Sequence, residues 1–175
     1  MKCIILITFI LYASACHNNV EPVLQKTQVK ETPGDTTLGG TSENMIITPD
    51  EWKEDSVFAD GSIPASWSVA GISDANQLKV FIKILRIWVD SGNKDSIAAH
   101  IVYPLSNNKK INSPAAFLDN YNQLFNERVI KSLKAQKLSQ IMRNNKGAMI
   151  GNGEIWIRNV SKGVTDEFKI VSINN

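Results

Sequence analysis

The apolar residues of this 175-residue chain change their spacing near residue 138, and this change constrains the fold more than any other feature. Before that point, apolar side chains recur at three- and four-residue intervals, which places them on one face of a helix. After it they alternate with polar residues, and Gly and Asn separate the alternating runs, as in antiparallel strands joined by turns. The order predicts an α+β domain with N-terminal helices packed on one face of a curved antiparallel sheet.

The strongest helix prediction lies between Asp74, a capping residue, and Gly92, a helix-terminating glycine. Its apolar residues form one stripe, which consists of Leu78, Phe81, Ile82, Leu85, Trp88 and Val89. Three basic residues interrupt the apolar run, so the pattern favours a core helix over a membrane-spanning helix.

Helix signals also stand on either side of this segment. Thr48 precedes a proline and stands three residues before a glutamate, which is the signature of a capping box at the start of a short helix. Glycine and proline then predict an irregular strap that Trp67 anchors. Ser113 and the proline after it predict another helix start, and helical spacing indicates shorter helices near residues 94 and 127.

The first fifteen residues have the composition of a bacterial lipoprotein signal peptide. Lys2 precedes an apolar stretch that is too short to span a bilayer, and Ala-Ser-Ala follows it. Cys16 stands where a lipobox cysteine is diacylated, so we expect removal of residues 1–15 and a lipid on Cys16. The alternative is an ordinary secretory signal with an unrelated cysteine. Lipidation predicts a protein anchored to a membrane of the bacterial cell envelope, periplasmic or at the outer membrane.

Residues 16–44 are polar and rich in turn-forming residues, which predicts a flexible tether. Residues 45–72 are assigned to the short helix and the strap, and residues 73–175 to the α+β domain. The formal net charge of +2 is too small to indicate a nucleic-acid partner. Once residues 1–15 are removed, one lipid-bearing Cys remains, so the sequence predicts no disulfide, no metal site and no cofactor. The pattern leaves the oligomeric state open, a dimer included.

Closely spaced glycines occur in the stretch GAMIGNGEIWI, residues 147–157. A dinucleotide-binding fingerprint needs a third glycine where this chain has Trp156, and it needs a following helix, whereas a strand is predicted here. We therefore expect Gly151 and Gly153 to form a tight bend or bulge with positive φ rather than a phosphate cradle. After the bend, alternation places Glu154, Trp156 and Arg158 on one side of the strand.

Several segments resemble a group of exported bacterial proteins with the NTF2-like, or SnoaL-like, cone-shaped α+β fold. They are YPL (103–105), FLDNYNQLF (117–125), GAMIGNGEIWI (147–157) and KIVSIN (169–174). The resemblance covers about residues 73–175 and implies a pocket between the helices and the concave face of the sheet. This fold hosts isomerases, dehydratases and non-catalytic binding modules, so the resemblance does not select an activity.

The resemblance makes His100, Tyr103, Tyr121 and Trp156 the candidates for lining that pocket. In NTF2-like enzymes a carboxylate or His acts as base while a Tyr or a protonated acid stabilises an oxyanion, so His100 and Glu154 are the candidates for catalysis. The small and apolar neighbours of His100 favour packing over chemistry. Glu154 is expected at the surface or at the rim of the sheet, beside Trp156. No metal-ligand spacing and no Ser-His-Asp arrangement is visible in the sequence.

The sequence therefore predicts a lipid-anchored, non-catalytic binding module for a small molecule, a peptide or another envelope protein. Two alternatives stay open: an isomerase or lyase that uses His100 or Glu154 with a Tyr, and a periplasmic inhibitor or immunity-type protein. A carboxylate or His that faces a Tyr across a pocket would favour the enzyme. A pocket without such a pair would favour binding.

Overall fold

The computed structural model describes residues 46–162 and 165–175. In these residues the helices are α1 Pro49–Trp52, α2 Ala75–Asp90, α3 Lys94–Ala99, α4 Pro114–Asp119, α5 Tyr121–Leu124 and α6 Glu127–Ala135. The strands are β1 Met142–Asn144, β2 Gly147–Ile150, β3 Ile155–Lys162 and β4 Thr165–Ile173. The predicted signal peptide, Cys16 and the predicted tether lie outside the described residues.

The four strands form one sheet in the order β1-β2-β3-β4, and every neighbouring pair is antiparallel. The helices precede the strands along the chain, so the predicted α+β class is confirmed. One hydrophobic core joins the helices to one face of the sheet. Its fully buried members include Leu78, Ile82, Leu85, Phe117, Val129, Leu133, Ile150, Ile155, Ile157 and Ile170.

Helix α2 has the boundaries that its sequence predicts. The Asp74 carboxylate accepts hydrogen bonds from the backbone N–H groups of Asn76 (2.9 Å) and Gln77 (3.0 Å), which would otherwise lack helical partners. Gly92 follows the helix with a φ of 68°, a conformation that favours glycine. No helix in the described part of the chain combines the length and the apolarity that a membrane crossing requires.

Helix α2 also buries a lysine, which apolar periodicity did not predict. The side chain of Lys79 is 0% exposed, and its ammonium donates to the carbonyl oxygens of Trp52 (2.9 Å) and Lys53 (3.1 Å) at the end of α1. Burial lowers the pKa of Lys79, while the Glu54 carboxylate, 4.0 Å from its nitrogen, acts in the opposite direction. The lysine therefore ties the N-terminal segment to the central helix.

The predicted capping box at α1 is confirmed. Thr48 Oγ1 accepts from the backbone N–H of Glu51, and the Glu51 carboxylate accepts from the backbone N–H of Thr48 at 2.8 Å. The same carboxylate lies 2.8 Å from Lys83 Nζ on α2. Since Glu51 lies in α1 and Lys83 in α2, this ion pair holds the two helices together.

The strap between α1 and α2 is held by Trp67, as predicted. The guanidinium of Arg143, in β1, lies 3.9 Å from the centre of the Trp67 ring and donates to Ala65 O at 2.5 Å. Glu54 accepts from Trp67 Nε1 at 2.5 Å and from Arg143 at 3.1 Å. Cation–π contact and charge-assisted hydrogen bonds thus fix the strap across the start of the sheet.

The outer edge of β4 is covered by the chain that follows α3. Ile170 N donates to His100 O (2.7 Å), Val102 N donates to Ile170 O (2.9 Å) and Ser106 N donates to Val171 O (3.0 Å). These bonds satisfy backbone groups that an open edge strand would expose. They also bring the loop at residues 103–111 to the side of the sheet.

Candidate binding cleft

Strand β3 divides its side chains between the two faces of the sheet. Ile155 and Ile157 are fully buried in the core, whereas Trp156 and Arg158 lie on the opposite face, which we call the outer face. Trp156 pairs with Ser172 of the neighbouring strand β4. The floor of a cleft therefore lies on the face that the helices do not cover.

Two loops form the walls of this cleft. On the β4 side, Ser106 Oγ donates to Val171 O at 2.8 Å, and the side-chain amide of Asn107 donates to a second β4 carbonyl at 2.7 Å. On the other side, Asn145 and Lys146 form the turn that joins β1 to β2. The walls are thus anchored to the sheet by backbone and side-chain hydrogen bonds.

The cleft has a volume of about 520 Å³, within the range of small-molecule sites. Its lining combines one indole, two cations, three amides, two hydroxyls and one aliphatic side chain. These residues are Trp156, Lys146, Arg158, Asn107, Asn145, Asn174, Ser106, Ser172 and Val171. The lining contains no carboxylate, so its formal charge at neutral pH is positive.

Gly147 positions the side chain of Arg158. A Cβ atom at residue 147 would lie 2.8 Å from Arg158 Cγ, and it would also overlap the carbonyl oxygen of Ile157. Gly147 has a φ of 118°, which side chains rarely tolerate. The missing side chain therefore lets the stem of Arg158 cross the backbone of β2 toward the cleft.

Many lining groups are already engaged in hydrogen bonds within the protein. Asn107 donates to Asn174 Oδ1 (2.9 Å), Asn174 Nδ2 donates to Gly153 O (2.5 Å), and Ser172 Oγ donates to Asn174 Oδ1 (3.4 Å). These residues build the walls. Their polar groups are largely unavailable for binding a ligand.

The two cations of the cleft differ from these engaged groups. Neither the Arg158 guanidinium nor the Lys146 ammonium hydrogen-bonds or forms an ion pair with the described residues. Lys146 Nζ lies 6.0 Å from the ring centre of Trp156, at the outer limit of a cation–π contact. Lys169, the β4 partner of Arg158, is instead paired with Glu167 at 2.8 Å and donates to Ala99 O. The positive charge of the cleft is therefore concentrated on Arg158 and Lys146.

His100, one sequence candidate for chemistry, lies at the end of α3 rather than in the cleft. Its ring centre is 4.6 Å from that of Trp88 and 5.6 Å from that of Phe81, and its Nδ1 is 2.8 Å from Ser96 O. The aromatic neighbours and the backbone partner give this ring a packing role, which agrees with the expectation from its sequence context.

The two tyrosine candidates are also engaged away from the cleft. The hydroxyl of Tyr103 donates to Ala98 O at 3.0 Å, and burial raises the pKa of Tyr103 to about 12. Tyr121 stacks on Phe125 with ring centres 5.2 Å apart, Lys94 Nζ lies 4.6 Å from its ring centre, and burial raises its pKa. Both phenols therefore stay protonated at neutral pH, inside the packing of the domain.

Glu154 is buried, so the expected position at the surface or rim of the sheet is wrong. The residue is 7% exposed and precedes β3, within the turn that contains Gly151 (φ 63°) and Gly153 (φ 105°). Its carboxylate accepts from Asn152 N at 2.6 Å and lies 3.7 Å from Arg128 Nε. Residue 154 belongs to the turn, so the alternation of β3 does not set the direction of its side chain. Glu154 therefore does not share the outer face with Trp156.

A second cavity of about 310 Å³ lies beside the strap and the ends of β3 and β4. The carboxylate in its lining belongs to Asp166, which accepts hydrogen bonds from Ser161 Oγ (2.7 Å) and Asn159 Nδ2 (3.1 Å). Each oxygen of this carboxylate therefore already accepts a hydrogen bond within the domain. Neither of the two cavities is lined by His100, Tyr103 or Tyr121.

Of the pocket candidates taken from the sequence, Trp156 lies in the cleft. Arg158 was placed on the same side of β3 by alternation, so its position could be read from the sequence, although its role could not. Lys146, Gly147 and Val171 were missed because their places depend on turn geometry and on a bulge in β4. Tertiary structure, rather than local pattern, brings these residues together.

The described residues do not bring the candidate acid–base groups into the cleft. Among residues 46–162 and 165–175, no group of three His, Cys, Asp or Glu side chains could hold a metal ion. His100 and Glu154 are both engaged outside the cleft.

Comparisons of the chain with protein-family models, with curated proteins and with solved structures found no match.

Proposed function

We propose that this protein is a lipid-anchored component of the bacterial cell envelope whose α+β domain binds a small molecule without transforming it. The observation that carries the proposal is the cleft on the outer face of the sheet. It combines an indole and two unengaged cations, while the candidate acid–base groups are engaged elsewhere. General acid–base catalysis needs such a group within hydrogen-bond reach of the substrate.

The fold proposal is an NTF2-like cone, supported by the order of helices and strands and by the resemblance of residues 73–175. The location of the binding site departs from what that resemblance implies. The helix-facing side of the sheet is occupied by Ile155, Ile157 and Ile170, which are fully buried. We therefore place ligand binding on the outer face, where Trp156 and Arg158 lie.

Anchoring through Cys16 rests on the signal-like sequence of residues 1–15 and on the cysteine that follows it. The wild-type protein should incorporate a labelled fatty acid and partition with membranes. Cys16→Ser should abolish the label and release the protein to the soluble fraction or leave it uncleaved. A wild-type protein without label, or a variant that fractionates unchanged, would contradict lipidation.

The binding function is tested by native mass spectrometry of the full chain, recovered from bacterial membranes in a neutral detergent. We expect a co-purifying small molecule on the wild type and on His100→Gln, and its loss from Trp156→Ala. Equal retention by Trp156→Ala would place binding elsewhere. No bound molecule on the wild type would contradict the binding proposal.

The same variants distinguish binding from catalysis. Removal of a catalytic base lowers turnover by about 10²–10⁴-fold. A reaction slowed to that extent in His100→Gln or Glu154→Gln, with unchanged circular dichroism and melting, would favour the isomerase or lyase alternative. A packing role for His100 predicts instead a modest decrease in stability and intact ligand binding.

A further inference from the structure

We infer that the cleft binds a small organic molecule that carries an oxyanion, a carboxylate or a phosphate, next to a flat ring. This inference rests on the proposed binding function and names its ligand class. Arg158 and Lys146 would bind the oxyanion, and the indole of Trp156 would contact the ring.

The charge of the ligand follows from the hydrogen-bonding groups that remain available. The side chains of Arg158 and Lys146 are hydrogen-bond donors only, and neither has a hydrogen-bond or ion-pair partner among residues 46–162 and 165–175. The lining supplies no carboxylate to neutralise them. A ligand rich in acceptors and negatively charged is therefore the complement of this surface.

The oxyanion geometry follows from the guanidinium. The planar fork of an arginine matches a carboxylate or phosphate through two parallel hydrogen bonds, which adds orientation to affinity. The stem of Arg158 packs over Gly147, where a Cβ would lie 2.8 Å from Arg158 Cγ. Arg158 remains exposed, so its guanidinium is accessible to a ligand.

The ring of the ligand follows from Trp156 and Val171. Trp156 is half-buried on the cleft floor, and the side chain of Val171 lies beside it at the bulge of β4. An indole face gives a stacking surface for aromatic or sugar rings. The Lys146 ammonium lies 6.0 Å from the centre of this indole. Apolar and cationic surfaces within a single cleft of about 520 Å³ fit one molecule that has both kinds of group.

Two cations are too few for a polymeric partner. Nucleic-acid binding draws most of its affinity from many phosphate contacts, and the domain concentrates only Arg158 and Lys146 at this cleft. A small anion requires no more than this pair.

The test uses the purified full chain in neutral detergent with ¹⁵N-labelled tryptophan. The four tryptophans give four indole signals, and Trp156→Phe assigns the one at the cleft. The probes are benzoate, phenyl phosphate, the neutral benzamide, and acetate and inorganic phosphate, which have no ring. We expect benzoate or phenyl phosphate to shift the Trp156 signal saturably, with at least tenfold weaker binding of benzamide and of the ringless anions. The stronger of the two ring-bearing anions identifies the oxyanion.

Variants separate the site from general surface charge. Arg158→Gln should lower the affinity for the ring-bearing anion at least tenfold. Lys131→Gln, which removes the same charge from an exposed position on α6, should leave that affinity unchanged. Equal binding of benzamide and benzoate, or equal affinity in Arg158→Gln and wild type, would overturn the anionic ligand class.

The outcomes also separate this inference from the proposal on which it rests. If the wild type carries a co-purified molecule that Trp156→Ala loses, but neither benzoate nor phenyl phosphate binds or displaces it, then the oxyanion inference is wrong and the binding function stands. If no co-purified molecule is found and none of the five probes moves the Trp156 signal, both fail together.

Discussion

Gly151 provides the sharpest test of the turn between β2 and β3. Its φ of 63° lies in the left-handed region, where an alanine is less favourable by about 1–2 kcal/mol. A Cβ at residue 151 would also overlap the Glu154 carboxylate and lie 2.8 Å from Ser132 Cβ. Moving that carboxylate would break its hydrogen bond with Asn152 N, a charge-assisted bond worth about 1.5–3 kcal/mol. Gly151→Ala should therefore lower the free energy of unfolding by about 2.5–5 kcal/mol.

Gly92→Ala is the matched control. Gly92 has nearly the same φ, 68°, but a Cβ there would meet nothing within 4 Å. The control therefore isolates the backbone contribution of about 1–2 kcal/mol, and the effect of alanine on the unfolded chain is common to both variants.

Chemical denaturation of the two variants measures the difference, which should be about 1.5–3 kcal/mol. For a domain of this size that corresponds to a melting temperature about 6–12 °C lower for Gly151→Ala than for Gly92→Ala. Equal stability of the two variants would show that the Glu154 carboxylate does not pack against Gly151 in solution, and the account of this turn would be wrong.

Three further substitutions test the rest of the domain. Gly153→Val should lower the free energy of unfolding by about 1–3 kcal/mol because of the φ of 105° at this residue. Steric overlap does not contribute, since the atoms nearest to a Cβ would be 3.6 Å away, and an unchanged melting temperature would contradict this prediction. Tyr103 has a pKa raised by burial to about 12, so its contribution to stability is complete below pH 10 and is lost as the pH rises from 10 through 12. Tyr103→Phe should therefore lose less stability than wild type between pH 8 and pH 11.5 in denaturant titrations. Glu54→Gln should lower the free energy of unfolding by about 1–3 kcal/mol, because Lys79 and Arg143 would lose their carboxylate partner. The loss is smaller than for a fully buried ion pair because the Glu54 side chain is about a third exposed. A change below about 0.5 kcal/mol would exclude this role.

The helices could be predicted because their determinants are local. The capping box of Thr48, the side-chain cap of Asp74 and the glycine at residue 92 each act within a few residues of a helix end. The apolar stripe of α2 identifies its buried face without reference to the rest of the chain. The antiparallel meander followed equally from alternation and turn residues.

The buried cations could not be predicted in the same way. Lys79 and Arg143 are buried because backbone carbonyls and Glu54 in the segment before α2 satisfy most of their donors. Those partners are 26 or more residues away in sequence, and no periodic pattern marks them. Position in a helix or strand is encoded locally, whereas the satisfaction of a buried charge depends on which segments meet.

The cleft was missed for a related reason. The sequence showed that Trp156 and Arg158 share one side of β3, but the resemblance directed attention to the helix-facing side of the sheet. The walls come from Asn107 and Lys146, which lie on separate loops. Their meeting depends on the hydrogen bonds that hold the loop at residues 103–111 against β4.

The spacing of apolar residues in β4 explains how one strand serves both the core and the cleft. Ile170 and Ile173 are both fully buried, although an odd separation would place them on opposite faces of a regular strand. The register with β3 changes between its Trp156 and Ile157 positions, so that Val171 is the extra residue of a β-bulge. The bulge returns Ile173 to the core while the side chain of Val171 joins the cleft. An apolar pair at odd spacing in a final strand is therefore a sequence signal for a bulge, and here that bulge completes the floor on which Trp156 lies.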